Sequence, residues 1–167
     1  MGRLGKSISG RGEFDLSSKD FVINSMKAQG RALALNLQER SSNLTGTELN
    51  AESDYIPEFT SAKAVMNMLN RPIGFVCKST AGRVVKLLQP YDSDIFTREP
   101  EELPAQWGFA WSTDPAKALP FVALSTSPYN KGDCCTENGM VYRSLIDNNV
   151  WSPSAYSQGW ENVNEVI

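Results

Sequence analysis

The chain contains no histidine among its 167 residues. That absence removes Ser-His and Cys-His nucleophilic chemistry, the commonest proton shuttle and most zinc sites. Basic surplus is also missing: the net charge is -3, whereas a general nucleic-acid binder presents a basic face. No run of about 18 apolar residues occurs, so no membrane-spanning helix is expected. The first 25 residues lack the continuous apolar stretch of a signal peptide. Cysteine is scarce too. Cys77, Cys134 and Cys135 are odd in number and lack zinc spacing, which fits free thiols in a reducing compartment better than a disulfide scaffold. No metal, cofactor or catalytic residue is expected.

What remains is ordinary globular composition, with 41% hydrophobic and 21% charged residues, enough for one domain or two small ones. Charge is unevenly placed. Residues 1–12 carry Arg3, Lys6 and Arg11 without an acid, while 92–102 hold Asp92, Asp94, Glu99, Glu101 and Glu102. Residues 1–17 read as a basic, Gly- and Ser-rich arm that orders against an acidic partner surface, or else as a frayed terminus. The acidic run offers two carboxylates for glycoside hydrolysis in principle, but in a Pro-containing loop it reads as solvated charge. Gly5-Lys6-Ser7 resembles the end of a phosphate-binding loop, yet no strand leads into it.

Residues 18–72 read as a helical region for anchoring or oligomerisation. Ser17-Ser18-Lys19-Asp20 supplies hydroxyl caps and an acid for a helix start. From Phe21 to Arg40, Ile23, Met26, Gly30, Leu33 and Leu37 recur at spacings of three and four, close to a heptad seam. Ile23, Met26, Leu33 and Leu37 are the candidate anchor residues, packing on a partner or on the chain's own domain. Ser41 to Ser53 reads as a connector. Pro57 opens a second helix over 58–70, which Asn70-Arg71-Pro72 stops.

From Ile73 the pattern turns to short β-rich runs. Residues 73–77 and 82–88 flank a turn, and Cys134 to Tyr142 forms a second hairpin around Asn138-Gly139, a strong hairpin signal. The two hairpins share a layout: a strand with Cys77 or Cys135, a turn with Gly82 or Gly139, a strand ending at Leu88 or Leu145, a Pro loop, and a closing Trp107 or Trp160. They read as one repeated unit, a first module over 73–112 and a second over 128–167, with 113–127 as linker. The fold class expected is α+β, N-terminal helices followed by two small antiparallel β modules.

Tyr129-Asn130-Lys131-Gly132-Asp133, Asn138-Gly139-Met140-Val141-Tyr142, Trp151-Ser152-Pro153 and Gly159-Trp160 together resemble small chitin-binding-type carbohydrate-binding modules, which recur at the ends of phage tail proteins. Leu88-Gln89-Pro90-Tyr91 and Pro104-Ala105-Gln106-Trp107 are similar to the phage variant. The resemblance covers roughly 73–167. Sugar-binding members usually carry two exposed aromatics in the middle loop, where Asp147 to Trp151 offers one. It implies a non-enzymatic structural component of a phage virion, in a tail, baseplate or fibre, assembled from copies of itself and other virion proteins and facing host-surface polysaccharide. The alternative it leaves is a soluble glycan-binding module accessory to a cell-wall enzyme. A sugar module needs flat aromatic faces with polar groups at the rim. Trp151, Tyr156, Asp147, Asn149 and Gln158 are the residues with that chemistry, while Trp107 and Trp160 read as module cores.

Overall fold

The computed structural model describes residues 11–164. It is α+β, and it divides into two units, residues 1–36 and residues 37–167. The basic segment 1–10 lies outside the described residues. The expected arm is corrected where it is described, because helix α1 already runs from Arg11 to Arg40.

In the first unit the described face of α1 is largely exposed. Ile23, Met26 and Leu33, three of the four anchor candidates, are among its exposed large hydrophobics, together with Phe21, Val22 and Leu35. The fourth candidate is corrected. Leu37 belongs to the second unit and is completely buried there, packed with Leu49, Ile56, Val76 and Val84. The last turn of α1 is pinned by Gln38, whose side chain both donates to Val76 O (2.7 Å) and accepts from Val76 N (2.9 Å).

The expected connector 41–53 holds a short helix, α2, at Gly46–Ala51. Its cause is a capping box: the Thr45 side chain accepts from Glu48 N while the Glu48 carboxylate accepts from Thr45 N. These reciprocal bonds satisfy amides that a helix start leaves open. The helix expected over 58–70 is shorter, α3 at Phe59–Val65, followed by a 3-10 turn at Met68–Asn70.

Two antiparallel meanders follow. The first joins β1 (Val76–Lys78), β2 (Val84–Leu87) and β3 (Trp107–Ala110). The second joins β4 (Leu119–Pro120), β5 (Cys134–Glu137), β6 (Met140–Ser144) and β7 (Trp160–Asn162), with β4 parallel to β5 at its edge. The second hairpin turns at Asn138-Gly139, both residues with positive φ, as a type I′ turn requires.

The repeated layout is present in three dimensions. Cys77 pairs with Val85 and Val85 with Phe109, while Cys135 pairs with Tyr142 and Tyr142 with Asn162. Each closing tryptophan stands two residues before the third-strand partner. Leu88 N donates to Gln106 O as Leu145 N donates to Gly159 O. Phe59 meets Trp107 edge-on at 5.7 Å, and Phe121 meets Trp160 edge-on at 6.0 Å. Even the parallel edge recurs, as a single bridge from Glu58 to Lys78 in the first meander. The expected boundaries therefore shift. The first module draws on Glu58 and Phe59 from the region assigned to anchoring, and the expected linker 113–127 supplies β4 and Phe121 to the second.

Cores differ between the meanders. Trp107, buried against Phe59, Met68, Val85 and Leu87, closes the first and donates its indole N–H to Tyr91 Oη (3.0 Å). The second is built around Tyr129, Cys135 and Trp160. A column of near-parallel rings, Phe109, Trp111, Tyr129 and Phe121, crosses from one meander to the other.

Candidate functional site

The loop from Leu145 to Gly159 joins β6 to β7 and frames an open cleft of about 680 Å³, lined by Ile146, Asp147, Asn148, Trp151, Ala155 and Tyr156. That volume is in the range of ligand pockets. Two backbone features shape the loop. Asn148 adopts a left-handed conformation, which Asn tolerates better than most residues. Gly159 lies under the Tyr156 ring, where a Cβ would stand 2.7 Å from a ring carbon. Only glycine lets the ring lie there.

The segment that carries the family resemblance forms the wall behind this loop. Tyr129 and Asn149 exchange backbone hydrogen bonds of 2.9 and 2.7 Å. Lys131 N donates to Asp147 Oδ1, and Asn148 N donates to Asn130 Oδ1. Asp133 accepts from Asn130 N (2.8 Å), and burial pushes its carboxyl above the usual aspartate range. Below, Trp160 donates its indole N–H to Trp151 O (2.8 Å). That bond ties the core ring to the backbone of the exposed one.

Of the five glycan candidates, Asp147, Trp151 and Tyr156 line the cleft together. Trp151 is 50% exposed and Tyr156 38%, with ring centroids 5.6 Å apart and planes at 65°. Gln158 is exposed but does not line the cleft. Asn149 is a correction. Its side chain is fully buried, donating to Ser144 Oγ and Gly159 O and accepting from Trp151 N. An amide whose groups are all bonded inside the fold positions the loop and has nothing left for a ligand.

The indole donors separate the tryptophans further. Trp107, Trp111 and Trp160 each donate the ring N–H within the fold. Neither the Trp151 N–H nor the Tyr156 hydroxyl has a hydrogen-bond partner among the described residues. Buried Trp and Tyr normally find partners for these groups. In the cleft both groups remain available to a ligand.

Sequence reasoning missed Ile146, Ala155 and Gly159. Ile146 follows the strand expected to end at Leu145 and, being apolar, carried no signal of a polar binding loop. Gly159 read as part of a closing motif, and only the ring above it reveals its steric role. The acidic run 92–102 separates into local pairs: Asp92 and Asp94 accept from Asn67, and Glu101 pairs with Arg83 at 2.6 Å. Among the described residues no group of three or more His, Cys, Asp or Glu is placed to hold a metal ion.

No known protein-family model matches the chain, and no curated protein matches it.

Proposed function

We propose that this protein is a non-enzymatic structural subunit of a phage particle, part of a tail, baseplate or fibre, that attaches through α1 and displays a saccharide-binding cleft on its second meander. The observation that carries the binding half is the Trp151–Tyr156 pair. Two aromatic rings stand half-open on a braced loop, with an unengaged N–H and hydroxyl beside the Asp147 carboxylate. Flat apolar faces suit the C–H face of a pyranose, and the polar groups at their edges suit its hydroxyls. The loop is held by Asn149, Trp160 and the Tyr129 bridge, so little ordering cost accompanies binding.

The attachment half rests on the exposed apolar residues of α1 and on the resemblance of 73–167 to modules found in phage tails. A soluble module accompanying a cell-wall enzyme is the second reading. It explains the cleft equally well, but it leaves Ile23, Met26 and Leu33 without a purpose. Titration of the protein with host cell-surface polysaccharide tests the cleft, and imaging of labelled particles tests the location. A protein that binds no polysaccharide and is absent from particles would defeat the proposal.

A further inference from the structure

The cleft on the β6–β7 loop is one-sided in charge. Between Leu145 and Gly159 the loop carries neither lysine nor arginine, and Asp147 is its single charged residue. That carboxylate is exposed and lines the cleft. Its Oδ1 accepts from Lys131 N (3.0 Å), which fixes the group in place, while Oδ2 has no partner among the described residues. The neighbouring segments do not reverse the sign. Arg143 is paired with Glu161 at 3.9 Å, and Lys131 is exposed, its ammonium in no ion pair with Asp147. Glu137 accepts from Ser154 N in the loop (2.8 Å), and Asp133 lies near enough to feel the Asp147 charge. Residues 129–162 as a whole hold four acidic and two basic residues.

The rings make the same demand by a different route. Trp151 and Tyr156 stand at 65° with centroids 5.6 Å apart, so their faces form two walls of a corner. Each face carries the negative side of the ring quadrupole and attracts a cation within about 6 Å of its centroid, Trp most strongly. A neutral pyranose uses the faces and leaves Asp147 to accept a hydroxyl. An anionic one meets a carboxylate and two ring faces of its own sign. Only a cationic group gains from the rings and the carboxylate together. We infer, resting on the saccharide reading of this cleft, that its ligand carries a positively charged nitrogen, held against the Trp151 and Tyr156 faces and paired with Asp147. A free amino sugar or a quaternary ammonium substituent supplies that group; an N-acetylated or uronic sugar does not.

Four hexasaccharides test it by isothermal titration of the full chain: glucosamine, N-trimethylglucosamine, N-acetylglucosamine and glucuronate. Mildly acidic buffer keeps the free sugar amine protonated. The cationic probes should bind about 5- to 30-fold tighter than the N-acetylated one, as an exposed cation–π contact with a surface ion pair implies. Glucuronate should bind weakest, and the tighter cationic probe tells an amine from a quaternary nitrogen. Asp147→Asn keeps an acceptor for Lys131 N but should lose most of the preference, and Trp151→Ala should reduce it. Melting curves check that both variants are folded. Glu102→Gln makes the same charge change in the β2–β3 loop and should keep the preference, which separates the cleft from general attraction to an acidic chain. Equal affinity for cationic and neutral probes, a preference that survives Asp147→Asn, or one lost equally in Glu102→Gln would overturn the inference and leave the saccharide reading standing. Binding of none of the four would overturn both.

Discussion

Replacing Trp151 by Ala separates a ligand-facing ring from a core ring, and the structure sets the size of both effects. About half of the side chain is buried, its ring against Tyr156. Half of a large aromatic's surface is about 100 Å², which at about 25 cal/mol per Å² gives a ceiling of about 2.5 kcal/mol. Residual burial in the unfolded chain lowers that to about 1.5–2 kcal/mol. The backbone carbonyl that accepts from Trp160 is untouched by the change. Trp160→Ala is the matched control. That ring is 6% exposed and sits edge-on to both Phe121 and Tyr129, so truncation should cost about 3–5 kcal/mol. For binding the order reverses. With stacking on a nucleobase as the nearest measured analogue, losing the Trp151 face should cost about 1–3 kcal/mol, or about 5- to 150-fold in affinity. Isothermal titration against cell-surface polysaccharide, with melting curves for both variants, reads the two effects separately. The reasoning is refuted if Trp151→Ala binds like the wild type, or melts as early as Trp160→Ala.

Gly159→Ala should push the Tyr156 ring out of place, since the new Cβ would lie 2.7 Å from it; overpacking of this kind costs about 1–3 kcal/mol, and saccharide affinity should fall even for the fraction that remains folded. Asp133→Asn should raise the melting temperature at neutral pH. Burial lifts the Asp133 carboxyl above the ordinary aspartate value, so between those two values the folded chain holds a proton that the unfolded chain has lost, and above them the ionised carboxylate is penalised by its burial. The resulting penalty is present above the raised value and vanishes below the ordinary one; melting curves across acidic pH should show the variant's advantage disappearing. Cys77, Cys134 and Cys135 are free and buried, and burial pushes each thiol up, Cys135 to about 12. A thiol reagent at mildly alkaline pH should therefore label none in the native protein and three after denaturation.

Much of the architecture was legible from local chemistry. Asn138-Gly139 announces its hairpin because both positions need positive φ, a demand met within four residues. The repeat was readable from the recurrence of a strand cysteine, a turn glycine and a closing tryptophan, and the same register pairs them in both meanders. The α2 start was readable as well, in the Thr45–Glu48 spacing of a capping box, although the polar composition around it suggested a connector. Strand β4 left no such trace. Two residues, one of them proline, are too few to show an alternation, so pairing with β5 is a tertiary event.

The candidate site divides along the same line. Its chemistry follows from composition: one loop holds Trp151, Tyr156 and Asp147, and those residue types suit a sugar wherever they are exposed. Which of them face outward does not follow. Trp151 and Trp160 are the same residue nine positions apart, and Asn149 is as polar as Asn148 beside it. Only the bridge from Asn149 to Tyr129, formed across the second meander, turns one amide inward and leaves its neighbour in the cleft. Leu37 parted from Ile23, Met26 and Leu33 for the same reason, because Leu49, Val76 and Val84 meet it from distant parts of the chain. Spacing along the chain records which face of an element is apolar. Whether that face is covered depends on residues brought to it from elsewhere, and hydrophobic burial carries no directional mark in local sequence.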